Sequence, residues 1–295
     1  MATDTSTDTD TSATGRREMS GLDALELAAT TGERGRLARV WAGVWPKLLA
    51  IAIGVLVWQI VVWSGWKPDY LLPGPVAVAK GLGDIVPHGE FWSAVVTTMR
   101  RAVTGFALAA VIGFLLGIAV ARIKVLRAAL GSMITALQTM PSIAWFPLAI
   151  LLYQLTEGAI LFVVVLGAAP SIANGVITGV DYVPPVLVRV GNNMGARGLR
   201  LYRYVIGPAS LPAIVAGLKQ GWAFAWRSLM AGELLVVISD RPALGELLDV
   251  YREQSDSLHL IAMMIVILTV GLFIDALFGL VDTAIRRRWG MLGTS

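Results

Sequence analysis

The chain has 295 residues, of which 56% are hydrophobic and only 15% charged, more apolar surface than one soluble core can hide, so the excess faces lipid. Its 24 basic and 20 acidic residues alternate with apolar blocks rather than forming one basic face, which excludes a nucleic-acid partner and assigns the basic balance to membrane topology. The absence of cysteine removes disulfides, thiolate nucleophiles and thiolate metal sites, and the two histidines, His88 and His259, stand too far apart for a catalytic metal centre.

Residues 1–40 open with a Thr/Asp/Ser run, too polar to offset the entropy of ordering, and read as a disordered cytoplasmic tail with no signal peptide. The basic stretch 34–39 precedes Trp41 and Trp45, the pairing of charge and interfacial indoles expected where a first transmembrane segment, 41–66, enters from the cytoplasm. Its apolar span is 48–63, with Trp58, Trp63 and Trp66 toward the far side. Pro68, Pro73, Gly74, Pro75 and Pro87 then describe an outside loop, 67–95, holding a short helix over 76–85. Five more spans form a core over 96–285. The second, 102–121, carries Gly105, Gly113 and Gly117, a spacing that allows close helix approach. Arg122, Lys124 and Arg127 mark the return to the cytoplasm, and the third span, 128–153, contains Gln138, Pro141 and Pro147, which predict a kinked or broken helix. Glu157 stands in an outside turn before the fourth span, 159–180, with Pro170 and Asn174.

The polar segment 181–204 carries Arg189, Arg197, Arg200 and Arg203 and no acid after Asp181, which places it in the cytoplasm. The fifth span, 211–238, includes Lys219, Arg227 and Glu233. An acidic outside segment, 239–258, follows, where Leu244, Leu247, Leu248 and Tyr251 recur at helical spacing; this helix docks an external protein, acts as a lid, or lies on the membrane. The sixth span, 259–284, holds Asp275, and Arg286, Arg287 and Arg288 open a cytoplasmic tail, 286–295. Six crossings return both termini to one face, and no second half repeats the first.

A connector as long as 181–204 is unusual in a compact bundle. Its middle, Asn192, Asn193, Met194, Gly195, Ala196, Arg197 and Gly198, followed by Pro208 and Pro212, can form a short helix with one small face suited to a partner's groove, or serve as simple turns. Lys219 and Arg227 each cost about 2.5 to 3.5 kcal/mol at membrane depth and demand a reason. Eight positions apart, they lie about 80° from one line on the helix. Either they border a water-filled path and attract an anionic solute, or Lys219 snorkels and Arg227 pairs with Glu233 or Asp275. Gln138, Asn174 and Gln220 offer hydrogen bonds either to a solute or between helices. No paired carboxylates, triad or thiol suggests catalysis, and no G-x-x-x-x-G-K-[ST] loop occurs, so this chain does not handle ATP in the usual way.

At the segment 181–204 the sequence resembles the permease subunits of binding-protein-dependent ABC importers of the nitrate, sulfonate and taurine type. That family's loop reads EAA, three residues, Gly, nine residues, Ile, one residue, Leu-Pro; the Gly falls here on Gly195, the Ile on Val205 and the Leu-Pro on Gly207 and Pro208. Arg189, Val190 and Gly191 stand where Glu-Ala-Ala is expected, which removes the acidic contact while leaving the glycine turn. Leu72-Pro73-Gly74-Pro75, Trp226-Arg227 through Glu233, and Arg287-Arg288-Trp289-Gly290 are also similar to the family, so the likeness runs over about 72–290. The resemblance implies an all-α membrane protein with the type I ABC importer transmembrane-domain fold in a bacterial inner membrane. It further implies a homodimer with a second permease copy, two cytoplasmic ATPase subunits that bind ATP and Mg, and an extracytoplasmic solute-binding protein. The implied solute is a small anion of the nitrate, sulfonate, taurine or bicarbonate class. A secondary transporter or channel independent of an ATPase is the alternative, distinguished by whether uptake survives ATP depletion.

Overall fold

The structure is a computed structural model and describes residues 41, 44–238 and 241–288. The expected tail 1–40, its basic stretch, and Trp289 and Gly290 of the closing motif lie outside the described residues. Two units divide the chain, Met1–Pro68 and Asp69–Ser295. In the first, α1 (Val44–Trp63) has a mean hydropathy of 1.9 over 20 residues, a length of about 30 Å that matches the hydrocarbon core. It stops where Gly65 adopts φ +66° and donates its N–H to the Val62 carbonyl at 3.1 Å.

In the second unit the described residues form helices and no strand: α2 (Pro75–Ile85), α3 (Gly89–Arg122), α4 (Lys124–Thr139), α5 (Phe146–Tyr153), α6 (Glu157–Asp181), α7 (Pro185–Asn193), α8 (Leu199–Leu201), α9 (Gly207–Leu235), α10 (Leu244–Glu253) and α11 (Ser257–Arg288). Five helical stretches, α1 among them, are long and apolar enough to cross a membrane. The third expected span is broken as its prolines predict: a 3₁₀ turn, Ser142–Trp145, follows Pro141, and the two arms bend by 105°, so they count as a sixth crossing only if taken as one. The second expected span is much longer than its apolar run. Helix α3 begins at Gly89, after a turn through Pro87 and His88, and Arg100 and Arg101 remain helical within it, each facing a carboxylate.

Helix α6 is the centre, with Ile160, Val163, Val164, Ala168 and Ile172 fully buried. Lipid tails are as apolar as these side chains, so close van der Waals approach has to hold the helices together. Small residues permit it. A Cβ on Gly113 or Gly117 of α3 would sit 2.6 and 2.8 Å from the α6 carbonyls of Ala169 and Ala173. At the α6–α9 crossing Gly175 and Gly217 meet backbone to backbone: a Cβ on either would lie 2.6 to 2.7 Å from the other's Cα. Around this crossing Trp222 packs edge-on to Phe106, with ring centroids 5.3 Å apart, and tilts against Phe278 at 5.9 Å.

Candidate functional site

The segment 181–204 folds as helix, turn and helix. Pro185, with its φ already set for a helix and no N–H to lose, starts α7. The short helix therefore lies N-terminal to the expected stretch 192–198. Asn192 and Asn193 close it, and Met194, Gly195, Ala196, Arg197 and Gly198 form the turn. The Gly195 N–H donates to the Asn192 carbonyl at 3.0 Å and the Ala196 N–H to the Gly191 carbonyl at 2.9 Å, with Gly195 at φ +83°: a Schellman cap, whose left-handed position favours glycine. Gly191 is buried, and a Cβ there would press at 2.9 Å on Leu201 and Val205, so its small size brings α7 onto the chain that returns to the membrane. A flank of α7 about 100° from Gly191 is open. Val186, Val190 and Met194 line up at helical spacing and stay exposed, Met194 by 82%. After Gly198, α8 passes through a π-turn, Tyr202–Ile206, into α9, whose first turn contains Pro208.

Lys219 and Arg227 open into adjoining clefts of 270 and 220 Å³ along one α9–α11 seam, with Ala223 and Asp275 common to both. Lys219 Nζ lies 3.3 Å from Asp275 Oδ2, so the cation expected to snorkel is the paired one. Arg227 is exposed, 5.3 Å from the Phe224 ring, and forms no ion pair among the described residues. Arg227 is thus a cation of this seam without an ion pair among the described residues, while Asp282 joins Asp275 as a second acid lining the Lys219 cleft. Gln138 and Asn174 belong elsewhere: the Gln138 amide donates to Ser171 Oγ at 3.1 Å, tying α4 to α6, and Asn174 is half-buried on α6. Gln220 shares the Lys219 cleft.

Glu233 is not available to Arg227. It is 1% exposed and faces Arg101 of α3, itself 3% exposed, at 3.3 Å between Oε1 and Nη1. Thr98 Oγ1 lies 3.0 and 2.9 Å from the two carboxylate oxygens, and the Gly245 N–H donates to Oε2 at 3.1 Å. The Leu244 N–H donates in turn to Thr98 Oγ1 at 2.9 Å, which fixes the start of α10. At the rim Glu157, in the first turn of α6, holds Arg100 at 3.1 Å, Arg241 at 3.0 Å and Arg101 Nε at 3.7 Å. This lock joins α3, α6, α9 and α10 at the end of the bundle opposite the 181–204 segment. Sequence reasoning missed it because the partners are 132 positions apart; the one signal was a carboxylate, Glu233, inside an apolar span.

Comparison with known proteins follows the same architecture. The family model described as "Binding-protein-dependent transport system inner membrane component" matches residues 109–287. An ABC transporter permease protein of Methanocaldococcus jannaschii is 30% identical over 78% of this chain and 86% of its own length. The nitrate import permease protein of Synechocystis sp. is 28% identical over 65% and 73%, respectively. The riboflavin transport system permease protein of Chloroflexus aurantiacus is 30% identical over 82% and 91%. Among solved structures, a chain of the methionine ABC transporter MetNI in inward-facing conformations superposes with a TM-score of 0.52 at 19% identity, covering 66% of this chain and 93% of that one.

Proposed function

The chain belongs to the binding-protein-dependent transport system inner membrane components, ABC importer permeases with the type I transmembrane fold, and on that premise we propose that it forms the translocation path of an ATP-driven importer. In this reading two copies pair in the inner membrane with both termini in the cytoplasm. Two ATPase subunits bind ATP and Mg and supply the hydrolysis, and an extracytoplasmic binding protein delivers the solute.

The observation that carries the reading is the Schellman turn at Gly195, which ends α7 and leaves its Val186, Val190 and Met194 stripe without cover among the described residues. Apolar residues exposed at helical spacing are the anchors of a helix that lies in a partner's groove. Movement of α7 passes through α8 and the π-turn into α9, and so toward Glu233 in the distant lock. Nucleotide-driven closure of the two ATPases would then bias the bundle between two rigid packings, each favoured by the ligand that binds it better.

The solute we assign is a small anion of the nitrate, sulfonate, taurine or bicarbonate class. The nitrate permease relative supports this, as does Arg227, an exposed cation on the α9–α11 seam with no ion pair among the described residues. The riboflavin permease relative favours a second reading in which the seam passes a larger heterocycle and Arg227 serves assembly. Uptake by the reconstituted complex separates these readings: Arg227→Gln lowers anion uptake at unchanged assembly under the first and leaves it unaltered under the second.

Gly195→Leu tests the coupling assignment. A bulky residue at φ +83° is strained by about 1–2 kcal/mol and tips the turn, so the variant should insert and assemble while ATP hydrolysis no longer drives uptake. Coupled turnover at the wild-type rate refutes this role for the turn, and uptake that persists after ATP depletion refutes the importer reading in favour of a secondary transporter or channel.

A further inference from the structure

At the loop end of the bundle a groove of about 380 Å³ opens between α3, α6 and the α8–α9 junction. Its depth is apolar, walled by Phe114, Ile118, Val176, Ile206 and Ile214. The buried hydroxyl in its wall, Ser210 Oγ, is already spent on the Ile206 carbonyl at 2.7 Å, so the interior offers water almost nothing. Its mouth is different in kind. Arg122, the last residue of α3, has its Cζ 3.6 Å from the Tyr202 ring centroid, and Arg203 of the π-turn, its Cζ 5.8 Å from the Tyr204 ring, lines the same groove. Both guanidiniums are exposed, and neither meets a carboxylate among the described residues, whereas Arg127 nearby is taken by Asp181.

We infer that this groove binds one anionic phospholipid, its acyl chain lying among Phe114, Ile118 and Ile214 and its phosphate between Arg122 and Arg203. The volume falls in the range of about 300–1,000 Å³ typical of small-molecule sites. An apolar cleft in a membrane-spanning bundle fills with hydrocarbon rather than water. Paired arginines at the end of a span match a phosphate through bidentate donors, and the Tyr202 ring holds one of them in place beforehand. Because the π-turn forms one wall, bound lipid braces the joint between the 181–204 segment and α9. The choice of the inner leaflet rests on the proposed cytoplasmic placement of that segment.

The test is native mass spectrometry of the full-length chain released from neutral detergent micelles with equal phosphatidylglycerol and phosphatidylcholine. With about a fivefold gain for each arginine, the chain should retain phosphatidylglycerol roughly 25-fold over phosphatidylcholine. Arg122→Gln with Arg203→Gln should abolish that preference, and Ile214→Trp, which fills the groove, should reduce retention of both lipids. Equal retention by the wild type, or an unchanged preference in the double arginine variant, overturns the proposal. So does competition by glycerol phosphate as effective as by the lipid, which marks a phosphate site without a chain. Loss of a co-purifying ATPase with unchanged lipid retention likewise overturns it and assigns the arginines to a protein interface. The leaflet is tested separately, since the chain has no cysteine of its own: Arg203→Cys should react with an impermeant maleimide only from the cytoplasmic side. Labelling from outside refutes the topology and leaves the lipid measurement to stand on its own numbers.

Discussion

Removing the Arg101 guanidinium tests the buried lock most directly. At 3.3 Å the Arg101–Glu233 attraction is about 5 kcal/mol at an effective dielectric of about 20, and it offsets the desolvation of two groups that are almost wholly buried. Arg101→Leu strands the Glu233 carboxylate with only Thr98 and the Gly245 N–H as partners, which should cost about 3–5 kcal/mol of stability. Adding Glu233→Gln removes the stranded charge while a carbonyl oxygen still accepts from the Gly245 N–H. The double variant should therefore recover roughly 2 kcal/mol relative to Arg101→Leu. Equilibrium unfolding of the purified chain in mixed micelles, followed by tryptophan fluorescence, reads both differences. If the double variant is as unstable as the sum of the single ones, the two groups are not energetically coupled and the lock is only a geometric coincidence.

Gly217→Val places a Cβ 2.7 Å from the Gly175 Cα, where neither backbone can yield; a loss of about 3 kcal/mol and a poorly assembled bundle are expected in the same unfolding assay. Asp256 caps α11 through the His259 N–H, and its removal in Asp256→Ala should cost about 1 kcal/mol. Burial alone would push the Asp256 carboxyl up, but hydrogen bonds and charge from His259 outweigh it and hold the carboxyl below the usual range. The charged form is thus favoured by folding: its contribution is complete above the unfolded-state pKa and disappears as pH falls through the lower folded value. The stability gap between wild type and Asp256→Asn should narrow on acidification through that window. Asp275→Asn frees Lys219 and adds a net positive charge to the seam. Because the pair is half-exposed, stability should change by no more than about 1 kcal/mol, while the KM for an anionic solute should fall in uptake assays.

The order of the spans was legible because hydropathy and interfacial charge act locally, and the break at Pro141 because a proline inside an apolar run frees carbonyls wherever it sits. Partner choice was not legible. From sequence, Glu233 and Asp275 were candidate partners for Arg227; in the fold Glu233 answers Arg101 and Asp275 answers Lys219, since pairing depends on which helix faces which. The length of α3 was not legible either, since Arg100 and Arg101 precede the apolar run and their acids lie 57 and 132 positions away in the chain. For the 181–204 segment the sequence indicated a turn at Gly195, but the helix begins earlier, at Pro185, an N1 signal the spacing argument had not used. Gly175 with Gly179 and Gly217 with Gly221 also repeat the four-residue spacing noted only for Gly113 and Gly117, and they bring α6 and α9 into backbone contact.

The glycine crossing of α6 and α9 acts as the fulcrum of a lever. Gly217 lies 18 residues from the start of α8 and 16 from Glu233, arms of about 27 and 24 Å along a helical path. With no side chain between the two backbones, a tilt of α9 about that pivot swings the Leu199 end and the Glu233 end by nearly equal amounts in opposite directions. An ångström of travel at one end would then be felt at the other, less what the π-turn between α8 and α9 absorbs.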